Sequence, residues 1–269
     1  MTLSFTTPLR EVWEVRSVGE PETDEVLAQI QYACHSTSES VLWLAQARKL
    51  WDADVLMRSV VEGTAKFAYL CTPDEVTRCR LLAEYRDVLP EMAELSDHER
   101  AAQSLAIIRD EAAEMWRPVR DMLRTPARIA ELNLKYPRSA RRSLETEWGF
   151  RRIAEKMERT EYEGLKGLLA LVHQYSISSR VLHFDWLGSG VVWERQQRSA
   201  ERIEAIELAH GGRVMSDVAT CAFMRSYVAY KYKRLNVQRL LDGLRATRPL
   251  FAEMEMAQQA WRRVEYPTA

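Results

Sequence analysis

Cysteine is scarce and scattered in this sequence. The four residues, Cys34, Cys71, Cys79 and Cys221, form no CxxC pair. That spacing excludes a zinc ribbon or a thioredoxin-type centre, which need two thiolates close together. Scattered reduced thiols fit a cytoplasmic protein, where disulfides are rare. The opening M-T-L-S-F-T-T-P-L-R lacks the basic start and apolar core of a signal peptide. No run approaches the roughly 20 apolar residues of a membrane helix. The expectation is a cytoplasmic chain that does not engage a membrane. Glycine (10) and proline (9) are few, and no tract is of low complexity. The formal net charge is -1, which argues against wholesale nucleic-acid wrapping but allows a local basic face.

What is present is helical periodicity. Hydrophobic residues make up 46% of 269 positions, enough for a sizeable core. Three stretches repeat apolar residues at three and four positions. One runs Leu27, Ile30, Cys34, Val41, Leu44, Leu50. A second runs Ala101, Leu105, Ile108, Ala112, Met115, Val119, Met122. The third runs Leu165, Leu168, Val172, Tyr175, Ser179, Leu182, Trp186. Such seams predict an all-α, antiparallel helical bundle with additional C-terminal helices. The expected organisation is an arm or short strand (V-W-E-V-R-S-V) in residues 1–22, a bundle core over 23–190, and C-terminal helices over 191–269 packing on it. Helices are expected near 24–50, 53–71, 73–88, 97–117, 126–136, 148–158, 160–187, 192–209, 214–232 and 236–262. Thr72-Pro73-Asp74-Glu75, Ser96-Asp97-His98-Glu99 and Thr160-Glu161-Tyr162-Glu163 have the pattern of capping boxes. Pro118 is expected to kink or end the helix starting at Ser96, Gly188-Ser189-Gly190 to stop the seventh helix, and Gly211-Gly212 the eighth.

Four groups of residues carry chemistry. Arg58, Glu62 and Tyr69 share one face of a largely apolar helix, either as a structural polar network or as part of a site. Tyr175, Ser179 and His183 recur at every fourth position, with His183 in the last turn, where the helix dipole favours an imidazolium. A Ser-His-Asp triad with Asp185 is set aside, because nothing like a strand–turn–helix elbow surrounds Ser179. His35 and Glu39 stand four apart without a third ligand, so neither a metal nor a cofactor is expected. Arg117, Arg120, Arg124 and Arg128, followed by Arg141 and Arg142, are the one local basic excess. They fit either a phosphate-binding stripe or a solvated face paired to acids elsewhere.

The stretches R-S-V-V-E-G-T-A-K-F-A-Y-L, W-G-F-R-R-I-A-E-K-M and Y-S-I-S-S-R-V-L-H together resemble a bacterial all-helical domain family of unknown function. Its hallmarks are an Arg-Ser-x-x-Glu helix, here Arg58, Ser59 and Glu62, and a Tyr-x3-Ser-x3-His helix, here Tyr175, Ser179 and His183. The resemblance spans roughly residues 40–190. That family is similar to HEPN and abortive-infection domains, some of which cleave RNA in phage defence. The HEPN signature places an arginine ahead of a histidine; here only Val181 and Leu182 separate Arg180 from His183, a shorter gap. The resemblance implies a metal-independent ribonuclease with His183 as general acid or base and Arg58 or Arg180 against the phosphorane charge. It also implies RNA as partner and a homodimer.

Two readings follow. In a nucleic-acid-processing domain, Arg58, Glu62, Tyr175, Ser179 and His183 converge on an accessible cleft. In a non-catalytic module that binds a protein partner or senses a ligand, the same residues form a closed, satisfied network.

Overall fold

The computed structural model describes residues 21–108 and 113–266. Every regular element among them is helical, so the fold is all-α. The V-W-E-V-R-S-V segment and the seam position Ala112 lie outside the described residues. The chain divides into two compact units, one formed by residues 1–73 and 153–269, the other by 74–152.

The first unit opens with α1 (Pro21–Gln46) and α2 (Leu50–Cys71), a helical hairpin whose short connection holds Arg48 at φ 59°. Leu27, Ile30, Cys34, Val41 and Leu50 are buried, as their spacing predicts. Gly63 permits the close approach of the two helices, because a Cβ there would overlap the Sγ of buried Cys34.

The second unit begins at Asp74. Its carboxylate accepts the Thr77 amide at 2.9 Å and caps α3 (Glu75–Ala83), so Asp74 rather than Thr72 is the N-cap. From α3 the chain passes through a π-helical turn (Glu84–Val88) directly into α4 (Leu89–Ala106). The wide turn removes the conflict that Pro90 poses to a regular helix, since proline lacks an N–H and crowds the carbonyl four residues back. Ser96-Asp97-His98-Glu99 therefore lies inside α4 and caps nothing; the amides it could cap already bond within the helix. α4 ends well before Pro118, which instead sits in the first turn of α5 (Arg117–Arg120). The second seam accordingly fails after Leu105, and Met115 and Met122 are exposed. α6 (Pro126–Lys135) is capped by Thr125 as a sequence of Thr-Pro suggests. α7 (Arg138–Glu147) was not foreseen, because its ten residues contain one large apolar side chain, Leu144. Trp148 is buried and donates Nε1 to Glu84 at 2.9 Å.

After α8 (Phe150–Glu158), the expected long helix over 160–187 is broken. Gly167 takes φ 91°, open to glycine at little cost, and the Glu158 carboxylate accepts the amides of Gly167 and Leu169. Thr160 bonds back to the Met157 carbonyl instead of capping. The result is a 3₁₀ turn (Glu163–Leu165), α9 (Leu168–Gln174) and α10 (Ser176–Leu182), abutting at Tyr175. Asp185 then caps α11 (Trp186–Gln196) through the Gly188 amide at 2.7 Å, so the helix runs through Gly188-Ser189-Gly190 rather than stopping there. Trp186 and Trp193 are 89% and 69% exposed.

The 33-residue α12 (Ala200–Tyr232) continues straight through Gly211-Gly212. Each glycine costs about 1 kcal/mol of helix propensity, and packing on both sides offsets it. α12 packs on α1 and α2, and the buried Arg225 donates to Gln31 Oε1 (2.9 Å) and Thr64 Oγ1 (2.6 Å). The pairings Asp24–Lys233 and Gln31–Arg225 make α12 antiparallel to α1, whereas Asp54–Arg213 and Thr64–Arg225 make it parallel to α2. α13 (Val237–Ala246) and α14 (Arg248–Glu265) follow, separated at Thr247 because Pro249 cannot continue a helix hydrogen-bond ladder. α14 returns antiparallel along α12, with Glu265 accepting from Arg198 and Arg202, and Gln258 Nε2 donating to the Ala209 carbonyl.

Gly63→Ala should lower stability by about 1–3 kcal/mol, the usual cost of overpacking a core. Urea unfolding measures it. In a Cys34→Ala background, where the obstructing sulfur is gone, the added cost of Gly63→Ala should shrink sharply; an equal cost in both backgrounds would place the strain elsewhere.

Candidate functional site

The residues singled out from the sequence do not converge as one group. α10 packs against α2, the helix of Arg58 and Glu62. Yet Glu62 pairs with Lys66 at 2.7 Å, and Arg58 makes no hydrogen bond or ion pair among the described residues. Tyr69 is buried and accepts from Lys156 Nζ at 3.0 Å. His183 is exposed at the end of α10, and Ser179 is half-buried. Their common face with Tyr175 is lost because α9 ends at Tyr175 and α10 starts anew. Tyr175 alone enters a polar cluster.

That cluster is built around Asp54 of α2. Its carboxylate accepts from Arg213 Nη2 at 2.6 and 2.9 Å and from His210 Nε2 at 2.9 Å. Arg213 Nη1 reaches Tyr175 Oη (3.1 Å) and Asp217 Oδ2 (3.2 Å), and the guanidinium also lies over the Tyr175 ring. Tyr175 donates its hydroxyl proton to Asp217 at 2.6 Å, and Gln174 Nε2 donates to the same oxygen at 2.9 Å. From α11, Arg195 brings Nη1 to within 3.1 Å of His210 Nδ1 and stacks over the Trp51 ring at 4.7 Å. His210 meets the same indole edge-on.

The protonation state of His210 follows from its partners. A guanidinium only donates, so Nδ1 must accept from Arg195 and the ring proton must be on Nε2, bonded to Asp54. An imidazolium would set N–H against N–H. Burial pulls the His210 pKa below its ordinary value, in the same direction. Burial also raises Asp217 and pushes the Tyr175 phenol up, so Tyr175 stays protonated. Desolvation lowers Arg195, a residue 8% exposed with no carboxylate within ion-pair distance among the described residues. Beside this cluster lies a cavity of about 330 Å³ lined by Trp51, Asp54, Arg195, His210, Gln258 and Trp261, among others. Trp51 and Trp261 hold the only occluded, unpartnered side-chain polar atoms among the described residues, both indole N–H groups.

In the second unit, acids take up much of the arginine charge. Arg124 pairs with Glu94, and Arg128 with Glu91, Glu94 and Glu131. Bonds from Lys135 and Tyr136, with Arg128 beyond, hold the Glu91 carboxyl down to about 2. Arg117 pairs with Glu114 and Asp121, and Arg120 donates to the Ala113 carbonyl. The four do not form one stripe, since α5 ends at Arg120 and α6 starts at Pro126. Arg141 and Arg142 line a groove of about 670 Å³ together with Arg138, Glu99 and Glu145. His35 and Glu39 form an exposed pair at 3.6 Å, and no cluster of metal-ligating side chains occurs among the described residues.

Sequence reasoning missed Asp54, Arg195, His210, Arg213 and Asp217. A signal existed for three of them. Asp54 falls on the buried stripe Leu50, Asp54, Met57, Val61, and His210 and Asp217 fall on the stripe His210, Val214, Asp217, Cys221. A charged residue at a core position demands a partner. The expected stop at Gly211-Gly212 hid the second stripe by leaving His210 and Arg213 in the break between helices expected near 192–209 and 214–232. No protein-family model, curated protein or solved structure matches this chain.

Asp54→Ala leaves Arg213 without its main buried counter-charge and should cost about 3–5 kcal/mol, measured by chemical denaturation. Arg58→Ala should cost about 1 kcal/mol or less. The His210 pKa is lowered in the folded state, so the unfolded chain binds the proton more readily below the ordinary value of 6.5. Stability is therefore expected to fall as pH drops from 6.5 toward the folded pKa; raised Asp217 acts oppositely, from its ordinary value of 3.8 upward. His210→Gln keeps a donor for Asp54 and an acceptor for Arg195 without titrating. Melting temperature against pH should lose that component in the variant; an unchanged profile would assign it to other groups.

Proposed function

We propose that this chain is a helical ligand-binding module, with the cavity beside Trp51, Arg195, His210 and Trp261 as its binding site. The observation that carries this reading is the closed state of the histidine. Both His210 nitrogens are engaged, one by Asp54 and one by Arg195, so the ring has no lone pair free for a substrate proton. The polar cluster supports a wall rather than performing a reaction. A volume of about 330 Å³ falls at the lower end of the roughly 300–1,000 Å³ typical of small-molecule sites. The wall is drawn from α2, α9, α11, α12 and α14. A ligand there ties the last helix to the bundle, so that occupancy is read as stability. A thermal-shift screen of the full chain against a panel of small metabolites tests this. A ligand should raise the melting temperature in proportion to log concentration, and Trp261→Ala should remove the effect. A panel without any stabilising compound counts against the reading.

A second reading keeps the HEPN-like resemblance: an RNA-cleaving component of phage defence or stress response, acting as a homodimer. It is favoured by the exposure of both Arg180 and His183 at the end of α10, where His183 can reach a ribose hydroxyl or leaving oxygen. Purified protein incubated with total RNA should then cleave it, and His183→Ala should abolish cleavage while folding normally. Intact RNA, or an equally active variant, removes this reading.

A further inference from the structure

The polar atoms around the first-unit cavity are unevenly committed. Asp54 has both oxygens occupied, Oδ1 by Arg213 and Oδ2 by Arg213 and His210. His210 has both nitrogens occupied. Asp217 Oδ2 already takes three donors. Arg213 is thus the cation that both carboxylates serve. Arg195 is different. Its one hydrogen bond among the described residues goes to a neutral imidazole nitrogen, and its face is spent on the Trp51 ring. No carboxylate lies within ion-pair distance of it among the described residues. Its remaining guanidinium nitrogens are not among the occluded, unpartnered atoms, and Arg195 lines the cavity.

A buried cation without a counter-ion is costly, by several kcal/mol per ion before compensation. Around it the unfilled capacity is mainly for donation: the Arg195 N–H groups and the indole N–H groups of Trp51 and Trp261. The two indole N–H groups are closed off from solvent although the rings are half-buried, so an acceptor that draws either ring toward the cavity gains a bond that water does not make. The amide oxygens of Gln174 and Gln258 are the opposing acceptors in the wall, their NH₂ groups being bonded to Asp217 and the Ala209 carbonyl. Neither is charged. The cluster's two carboxylates and two guanidiniums balance in number, but among the described residues no acid oxygen reaches Arg195, a planar fork held in position by an aromatic face. That is the geometry by which arginine recognises carboxylate or phosphate oxygens.

We infer that the cavity takes a small oxyanion-bearing molecule, a carboxylate or phosphate, whose charged end sits on Arg195 beside the Trp51 and Trp261 indoles. This rests on the ligand-binding reading above and narrows it to a chemical class. Arg195 is the specificity-determining group. Its stacking on Trp51 and its bond to His210 hold the guanidinium in place, so the Asp54–His210 pair acts as its positioning support.

The test is calorimetric titration of the purified full chain with inorganic phosphate, acetate and benzoate, and with the neutral analogues acetamide and benzamide. Nitrogen–proton correlation spectra of the indole groups, assigned with Trp51→Phe and Trp261→Phe, report on the site itself. At least one anion should bind saturably and move the Trp51 or Trp261 indole signal, while its neutral analogue does not. Phosphate and carboxylate arms separate the two sources of the oxyanion. Arg195→Gln should weaken binding about tenfold or more, the loss of one charge-assisted contact. Arg195→Lys, which keeps the charge but not the fork, should lose less, and Trp261→Phe leaves the Arg195–His210 contact untouched if Arg195→Gln fails to fold. Benzamide binding at the indoles with no response to any anion overturns the oxyanion assignment and leaves the ligand-binding reading standing. No binding and no indole shift with any probe, together with a blank thermal-shift panel, overturns both. Anion binding undiminished in Arg195→Gln overturns the role given to Arg195.

Discussion

One carboxylate joins the two ends of this chain's first unit. Asp54 sits on the buried stripe of α2 and receives His210 and Arg213 from α12, more than 150 positions away. A carboxylate at a core position must find charge-assisted partners or be neutralised. Its partners fix the axial register of α12 along α2. About three turns further along, the buried Arg225 repeats the tie through Thr64 and extends it to Gln31 of α1. Together these bonds set three helices against one another at defined positions, which apolar stripes alone leave free to slide.

Other features depend on that register. With Arg213 held by Asp54, its second nitrogen meets Asp217 and Tyr175, and Tyr175 is where α9 gives way to α10. With His210 held, its remaining nitrogen receives Arg195 from α11, which stacks on Trp51 one helical turn before Asp54. α14, laid along α12, then brings Gln258 and Trp261 to the same place. The cavity is a consequence of polar ties chosen for register, and of its two guanidiniums Arg213 is held by carboxylates while Arg195 meets none among the described residues.

Local signals in the sequence were sound where the chemistry was local. The helix expected near 126–136 forms as α6 (Pro126–Lys135), and Leu27, Ile30, Cys34 and Val41 are buried as their spacing requires. Signals misled where tertiary packing overrode them. Ser96-Asp97-His98-Glu99 has the composition of a capping box but lies in mid-helix, and Gly211-Gly212 has that of a stop but is spanned by α12. The same misreading affected the site. Arg58 and Glu62 were conspicuous because they are polar neighbours on an apolar helix, yet they occupy its half-buried flank. Asp54 was less conspicuous and sits on the core stripe. Tyr175 was found, though its partners proved to be Asp217 and Arg213.

The sequence by itself determined the all-helical class and the core face of α1. Each of these depends on residues within about two turns of one another, so a linear pattern contains the information. Tertiary structure decided which helices run on through glycine or proline, which break, and which polar residues meet. Those outcomes depend on pairings across more than a hundred positions, where the burial of one charge selects its partner from many candidates. The meeting of Asp54 with His210 and Arg213, and the unpaired fork of Arg195 beside it, exist only once the chain has closed on itself.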